Sequence, residues 1–208
     1  MLLSEVYQGT VETIHEAYKG LYENVWVGTP YETYYKLSSK AKGTFGERQM
    51  KKIFLLFGHV IEKSLNVEHD MIVDGSKVEI KFSLASAPTD KKLDAKLIEV
   101  NGFIFNHIGL KKDWEKLVLC GINPKKTNPF INFRKRTAPK EWEECNIYVI
   151  DKQDLVNFIE KNPNNPVFKR QQGGEDGGND DYMVSGRAKF EQLVKLPFVR
   201  KYTDPGSL

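Results

Sequence analysis

Asp70, Glu79 and Lys81 are the residues of this chain whose types and spacing could do chemistry together. They lie in HDMIVDGSKVEIKFS, residues 69–83, where two apolar stretches are joined by the dipeptide DG at 74–75. Asp-Gly is a preferred pair for the two-residue turn of an antiparallel hairpin, because both central residues need positive φ. That loop places Asp70 opposite Glu79, and opposed side chains have Cβ atoms about 4.5–5.5 Å apart. The spacing therefore predicts two carboxylates close enough to share one cation.

Lys81 is expected on the same face of the second strand as Glu79, because side chains alternate along a strand. Two adjacent carboxylates repel each other unless one is protonated or a cation lies between them. A few oxygen ligands suit Mg²⁺, which keeps several waters and accepts phosphate oxygens. Such an ion polarises a phosphodiester, and a nearby lysine orients water or offsets charge on phosphorus. The predicted reaction is phosphodiester hydrolysis, with Asp70 and Glu79 as metal ligands and Lys81 as the catalytic lysine.

The same charges also have a simpler explanation, since one face of an antiparallel hairpin commonly lies in water. An acid followed, after a gap, by Asp or Glu, any residue and Lys occurs by chance about once in a chain of this size. DKK at 90–92 and DAK at 94–96 also satisfy the second half of the pattern. Those copies lie in a polar stretch, whereas Glu79 and Lys81 alternate with apolar residues. Asp74 is assigned to the turn.

The periodicity of the remaining chain predicts a mixed α/β fold, a mixed sheet flanked by helices. The predicted helices are 4–23, 45–63, 151–161 with Asp151 as its cap, and a short helix within 190–202 that Pro197 limits. The other predicted strands are a hairpin turning at Asn101-Gly102, a buried strand within 114–124, INFRKR at 131–136 and NIYVI at 146–150. The Gly-rich residues 171–186 are predicted to form a loop.

The chain is expected to form a single domain, since 208 residues support one hydrophobic core more readily than two. Its predicted parts are an N-terminal helical region (1–42), a catalytic core (43–162) and a Gly-rich loop with a C-terminal segment (163–208). No signal peptide is recognisable, and no apolar run approaches the roughly 18 residues of a membrane helix. Cys120 and Cys145 have no metal-ligand spacing and are predicted to be free thiols. These features predict a cytoplasmic protein without a membrane partner.

Positive charge is concentrated between residues 111 and 140, although the net charge of the chain is only +3. The candidates for DNA contact here are Lys111, Lys112, Lys125, Lys126, Arg134, Lys135 and Arg136. Clustered cations displace counterions from phosphates, and Trp114, Phe130 and Phe133 lie among them. The segment is therefore predicted to contact nucleic acid, with a solvated basic face as the alternative.

Asp70, the eight-residue gap that follows it, and Glu79-Ile-Lys81 within apolar residues resemble the motif of the PD-(D/E)XK nuclease superfamily. That superfamily includes most type II restriction endonucleases and several DNA repair nucleases. His69 stands where the family often has a proline, and we interpret it as structural. The resemblance implies a restriction endonuclease-like fold, in which an antiparallel hairpin of a mixed sheet flanked by helices presents the acids.

The resemblance also implies a glutamate on the preceding helix that assists metal binding, a position that Glu47 matches. A glutamate in the first turns of a helix also simply favours the helix dipole, which is the alternative. Ser83 is expected on the face of Glu79 and Lys81, where it could hydrogen-bond a DNA phosphate or a metal-bound water. A plain surface serine is the simpler interpretation.

Taken together, the residues and the resemblance predict a Mg²⁺-dependent endonuclease of restriction type that cuts double-stranded DNA. Cleavage of both strands of a palindrome favours a homodimer, because the two-fold axis of the protein then matches that of the site. One alternative is a repair or recombination nuclease that recognises DNA structure instead of sequence. The other is a nucleic-acid-binding domain of the same fold without the chemistry.

Overall fold

The structure is a computed structural model that describes residues 26, 28–65, 67–85, 98–99, 102–125, 131–132, 143–171 and 181–208. Its helices are α1 (Ser39–Leu56), α2 (Lys152–Lys161) and α3 (Arg187–Leu193). Its strands are β1 (Ile61–Lys63), β2 (Met71–Val73), β3 (Ser76–Leu84), β4 (Ile98–Glu99), β5 (Ile104–Gly109), β6 (Lys116–Ile122), β7 (Ile131–Asn132), β8 (Cys145–Asp151), β9 (Lys169–Arg170), β10 (Asp181–Ser185) and β11 (Val199–Lys201). Short 3₁₀ helices cover Tyr34–Lys36 and Pro205–Ser207.

The described strands assemble into a mixed sheet flanked by helices, which confirms the predicted α/β class. The main sheet has the order β1-β2-β3-β6-β8-β11, with β3 and β6 parallel and its other neighbours antiparallel. A three-stranded antiparallel sheet, β5-β10-β9, and a parallel pair, β4-β7, accompany it. Helix α1 packs against β3 and α2 packs against β8. Within the described ranges, no helix is long and apolar enough to cross a membrane.

The hairpin of β2 and β3 has the register predicted from its turn. Asp74 and Gly75 both have positive φ, 49° and 82°, as the two-residue turn requires. Val73 pairs with Ser76 across it, and the ladder runs on to the pair of Met71 and Val78. This is the register on which the predicted approach of the two acids depends.

Asp74 also does more than turn the chain. Its carboxylate accepts a hydrogen bond of 2.8 Å from the amide of Val60 and contacts Nδ1 of the buried His59. His59 Nε2 lies 2.8 Å from the hydroxyl of Tyr202. The turn is thereby tied to the chain that follows α1 and to the residue that follows β11.

Helix α1 begins and ends earlier than the predicted helix over 45–63. Ser38 caps it, since its Oγ accepts a hydrogen bond of 3.3 Å from the amide of Ala41. It ends at Leu56, and Gly58 with a φ of 87° turns the chain away. The prediction was wrong for 57–63, because three of those residues form β1 at the edge of the sheet.

Gly46 lets α1 approach β3 closely. A Cβ placed on Gly46 would clash with Cβ of Phe82 and lie 2.8 Å from its Cγ. Phe82 follows Lys81 in β3, so the missing side chain sets the distance between the helix and the strand. We expect Gly46→Ala to lower the free energy of unfolding by about 1–3 kcal/mol, because inserting an atom into a packed contact forces backbone shifts.

Urea denaturation of matched variants checks this expectation. Gly43→Ala, also within α1, is the control, because the nearest atom to its new Cβ is Glu47 Oε1 at 3.9 Å. That change should stabilise the helix by about 0.5–1 kcal/mol, since alanine has less backbone freedom to lose than glycine. Equal effects at the two positions would show that Gly46 does not set the helix-to-strand distance.

The predicted hairpin around Asn101-Gly102 was wrong. Its two halves, β4 and β5, pair with different partners: β4 runs parallel to β7, and β5 pairs with β10. Gly102, with a φ of 114°, passes so close to α3 that a Cβ would lie 2.8 Å from the backbone of Arg187. The glycine thus serves a tertiary contact instead of a tight turn.

The other predicted elements have mixed outcomes. The strand within 114–124 is β6, NIYVI is part of β8, the helix from Asp151 is α2, and the short C-terminal helix is α3. Asp151 is the N-cap residue, although its side chain makes no capping hydrogen bond and instead pairs with Arg200 and Lys116. The loop prediction for 171–186 was wrong for the residues that form β10. Strand β11 was not predicted. Of INFRKR, two residues form β7; its remainder and the helix predicted over 4–23 lie outside the described residues.

Candidate active site

A cavity of about 450 Å³ opens where β3, α1 and β5 meet. The predicted site residues that line it are Asp70, Glu79, Lys81, Glu47 and Ser83. Lys112, predicted only as a DNA contact, lines it as well. The structure therefore brings together all three residues of the predicted catalytic motif and both predicted assisting residues.

Asp70 immediately precedes β2 and lies outside the ladder pairs of the hairpin. Its amide donates a 3.0 Å hydrogen bond to the carbonyl of Val78, and its carboxylate accepts a 2.6 Å hydrogen bond from the amide of Ile80. The side chain thus supplies the acceptor that β2 no longer provides to β3. Asp70 and Glu79 are not a ladder pair in the strict sense, yet both carboxylates line the same cavity.

The environment of Asp70 raises its pKa from an ordinary 3.8 to about 6. Burial is the largest cause, because it disfavours the charged carboxylate, and the nearby charge of Glu79 is the second. The hydrogen bond from Ile80 and the charge of Lys81 oppose the rise, and Glu47 adds to it. Without a cation, the site therefore holds its negative charge at a cost.

This cost predicts a pH-dependent effect of Asp70→Asn on stability. A carboxyl whose pKa is raised on folding binds its proton more tightly in the folded state, so its contribution becomes less favourable as pH rises from about 4 to about 6. The asparagine keeps an oxygen for the amide of Ile80 and carries no charge. In EDTA, the variant should gain Tm relative to wild type at about pH 7.5, and the gain should shrink at about pH 4.5.

Thermal unfolding at both pH values, in metal-free buffer, measures this difference. Asp154→Asn, on an exposed part of α2, is the control for the removal of one charge. A destabilisation by Asp70→Asn that grows with pH would contradict the expected penalty for the ionised carboxylate.

Glu79 is the most deeply buried charged group of the cavity, with only 1% of the residue exposed. Its Oε1 lies 2.7 Å from Nζ of Lys81 and 3.3 Å from Nζ of Lys112. Its Oε2 is buried and has no hydrogen-bond partner. A buried carboxylate oxygen without a partner is costly, so it marks a position where a bound group would complete the coordination. Glu79 therefore does not belong to a solvated face.

The donor set fits a hard cation held by few protein ligands. Among the residues that the structure describes, no group of three or more His, Cys, Asp or Glu side chains is arranged to hold a metal ion. Asp70 and the orphaned oxygen of Glu79 would be the two protein ligands, with Glu47 across the cavity. Mg²⁺ is commonly bound through one or two carboxylates, with water and phosphate oxygens completing its shell.

Glu47 lies in the third turn of α1 because the helix begins at Ser39. The helix-dipole explanation applies to the first turn only, so it does not account for this glutamate. Glu47 lines the cavity, and its charge contributes to the raised pKa of Asp70. Its placement fits an assisting role at the acids.

Ser83 is neither a surface serine nor an uncommitted hydroxyl. It is 7% exposed, its Oγ accepts a 3.0 Å hydrogen bond from the amide of Ile104, and it donates to the carbonyl of Leu84 at 3.1 Å. The bond from Ile104 attaches the start of β5 to β3. Ser83 thus positions one wall of the cavity, which corrects its interpretation as a surface serine. Its assisting role stays a prediction.

Lys112 is held over the cavity by the loop between β5 and β6. Its carbonyl accepts a hydrogen bond from Nζ of Lys152, which also lies 5.2 Å from the ring centre of Trp114. Trp114 is buried and donates a 2.8 Å hydrogen bond to the carbonyl of Gly109. Sequence reasoning missed the position of Lys112, because the loop is fixed by tertiary contacts, among them the burial of Trp114 and the bond from Lys152.

Two of the remaining basic candidates lie away from the cavity. Lys111 and Lys125 are exposed and lie outside its lining. The others, Lys126, Arg134, Lys135 and Arg136, lie outside the described residues. His69 is 5% exposed and its Nδ1 lies 3.1 Å from the carbonyl of Asp113, which agrees with a structural role.

Comparison with known proteins assigns no family to this chain. No protein-family model matches the sequence, and no curated protein matches it significantly.

Proposed function

We propose that this protein is a Mg²⁺-dependent DNA endonuclease of the PD-(D/E)XK type, most simply a type II restriction endonuclease. The observation that carries the proposal is the buried Glu79 carboxylate, whose Oε2 has no partner and whose Oε1 is shared by two lysines. A structural ion pair has no need of an orphaned oxygen. The α/β fold and the two-residue turn of the hairpin support the restriction endonuclease-like assignment.

Each cavity residue has a role that its contacts support. Asp70 and Glu79 would hold Mg²⁺, which supplies Lewis-acid activation of water and stabilisation of phosphate charge. Lys81 can turn its ammonium from Glu79 towards an attacking water or a phosphate oxygen, because Nζ borders the open cavity. Glu47 adds a carboxylate that can orient water. Substrate binding is expected to displace the lysine contacts on Glu79, since phosphate competes for the same cations.

Double-stranded DNA is the proposed substrate, and a homodimer is the proposed assembly. A phosphodiester in a duplex lies at the surface, so an open cavity can reach it without base extrusion. Two copies related by a two-fold axis would present two such cavities to the two strands of a palindrome.

A plasmid cleavage assay tests the proposal. Purified protein is incubated with supercoiled plasmid, linear plasmid and branched DNA substrates in Mg²⁺, and in EDTA as the control. Discrete fragments in Mg²⁺ only are the expected result. Preferential cutting of branched substrates would replace the restriction assignment by a structure-specific nuclease of the same chemistry. No cleavage of any of these DNAs in Mg²⁺ would refute the enzymatic proposal.

A further inference from the structure

The three-stranded sheet extends one wall of the candidate active site. Its strand β5 begins at Ile104, whose amide is bonded to Ser83 of the catalytic strand. Ile104, Phe105 and Asn106 line the cavity together with the acids. The surface of this sheet is therefore continuous with the place where the scissile phosphate would lie.

A bulge in β5 turns two consecutive polar side chains outward. Phe105 pairs with Val184 and Ile108 pairs with Tyr182, so two residues of β5 stand opposite one residue of β10. Those two residues are Asn106 and His107, and both are exposed. The one residue opposite them is Met183. Bulges commonly re-aim side chains beside active sites.

The backbone of the bulge is strained and is held in place by the neighbouring strands. His107 has a φ of 55°, a left-handed conformation that non-glycine residues adopt at a cost. Its amide donates a 3.0 Å hydrogen bond to Oε1 of Gln171, and its Nδ1 lies 3.4 Å from a carboxylate oxygen of Asp181. The left-handed backbone of His107 thus lies at an exposed position, where core packing does not require that conformation.

Two lysines lie close together at the far edge of the same sheet. Lys169 of β9 pairs with Met183, so its side chain lies on the face of Asn106 and His107. Lys189 belongs to α3, which packs against β10, the neighbour of β9. Partial burial and the charge of Lys169 lower the pKa of Lys189. Within the described ranges, no carboxylate lies within ion-pair distance of either lysine.

Two cations held side by side without an acid favour an anion between or above them, just as paired carboxylates favour a cation. Neighbouring strands are about 4.8 Å apart, so β9 lies about 10 Å across the sheet from β5. One strand of B-DNA carries a phosphate about every 3.4 Å along the helix axis. Lys169 is therefore placed about three phosphates from the cavity wall, with Lys189 beside it.

We infer that Lys169 and Lys189 bind backbone phosphates of the DNA duplex that flanks the scissile phosphate, across the face formed by Asn106, His107 and Met183. The inference rests on the proposed nuclease function and assigns the path of the substrate on the protein. This path differs from the basic segment 111–140 that the sequence indicated.

Binding of a duplex of about 25 base pairs, measured by fluorescence anisotropy in EDTA over a salt series, tests the inference. The double variant Lys169→Gln/Lys189→Gln should reduce the slope of log K against log salt by about one for each phosphate that it leaves without a cation. With two such phosphates, the affinity drop between 50 and 200 mM salt should be about tenfold smaller than in wild type. In cleavage assays, KM for DNA should rise while kcat is unchanged.

The control is Lys51→Gln/Lys63→Gln, which removes the same charge from exposed lysines of α1 and β1. It should leave KM unchanged and the slope close to that of wild type. Equal slopes and equal KM values for the two double variants would overturn the inference, and so would a wild-type protein that binds no DNA at low salt. Failure of the nuclease proposal is a separate result, the absence of cleavage in Mg²⁺ by a wild-type protein that binds DNA with the expected slope.

Discussion

Glu79→Gln is expected to abolish Mg²⁺-dependent cleavage and to remove the stabilisation of the protein by Mg²⁺. The substitution keeps the shape of the side chain but deletes the charge of a group that is 1% exposed. Lewis-acid stabilisation of the transition state is worth several kcal/mol, so cleavage should fall by about a thousandfold or more. The measurement is the single-turnover rate at saturating DNA.

The second effect needs no DNA and is measured by thermal unfolding. A cation that binds only the folded state adds about 1.4 kcal/mol at ten times its Kd. For a chain of this size, that stabilisation corresponds to a rise in Tm of about 3–5 °C. Wild type should show the rise in Mg²⁺, and Glu79→Gln should not.

Glu160→Gln, on the exposed face of α2, controls for the removal of one negative charge. It should cut DNA and respond to Mg²⁺ as wild type does. A Glu79→Gln protein that keeps the full rise in Tm would place the metal elsewhere. If it kept the rate as well, the cavity would not be the active site.

Two dipeptides with the same turn signal show how far local sequence determines this fold. Asp74-Gly75 forms the predicted turn, because both residues adopt positive φ and the strands on either side pair directly with each other. Asn101-Gly102 does not join a hairpin, because β5 finds a longer antiparallel partner in β10. The competing partner is about eighty residues further along the chain, so no local pattern could indicate it.

The convergence of Asp70, Glu79 and Lys81 on one cavity was predictable from the same local signal as the Asp74-Gly75 turn. Asp70, Glu79 and Lys81 belong to one hairpin, and a two-residue turn fixes which of their side chains share a face. The bond from Ile80 to the Asp70 carboxylate was not predictable, since it depends on where β2 begins. Neither was the complete burial of Glu79, because it requires β6 on the other side of β3.

Lys112 illustrates the limit of charge patterns. The sequence placed it in a basic segment of nine cations, and nothing in that segment distinguishes it from Lys111. Its position beside Glu79 follows from the burial of Trp114 and from the hydrogen bond that Nζ of Lys152 donates to the carbonyl of Lys112. A tertiary contact therefore separates a lysine of the cavity from an exposed neighbour of the same type.

Lys81→Met is expected to lower the cleavage rate by about a hundredfold to ten-thousandfold without weakening Mg²⁺ binding. Removing a proton-transfer or charge-stabilising group typically has an effect of this size on kcat. The Mg²⁺-dependent rise in Tm should persist, or begin at lower Mg²⁺ concentration, since Lys81 no longer competes for Oε1 of Glu79. The pair of measurements thus separates the catalytic lysine from the metal ligand, whose substitution removes both cleavage and the response to Mg²⁺.

Lys112→Met provides the matched comparison, because its ammonium contacts the same oxygen of Glu79 at 3.3 Å instead of 2.7 Å. The Lys112 side chain is also more exposed than that of Lys81, 41% against 17%, so solvent weakens its interaction with the site. Its removal should raise KM for DNA more than it lowers kcat, whereas the removal of Lys81 should do the reverse. If Lys112→Met reduced kcat as much as is expected of Lys81→Met, while Lys81→Met left KM and kcat near wild type, the catalytic lysine would be Lys112. The cavity would then use a cation from the β5–β6 loop in place of the one that the hairpin motif supplies.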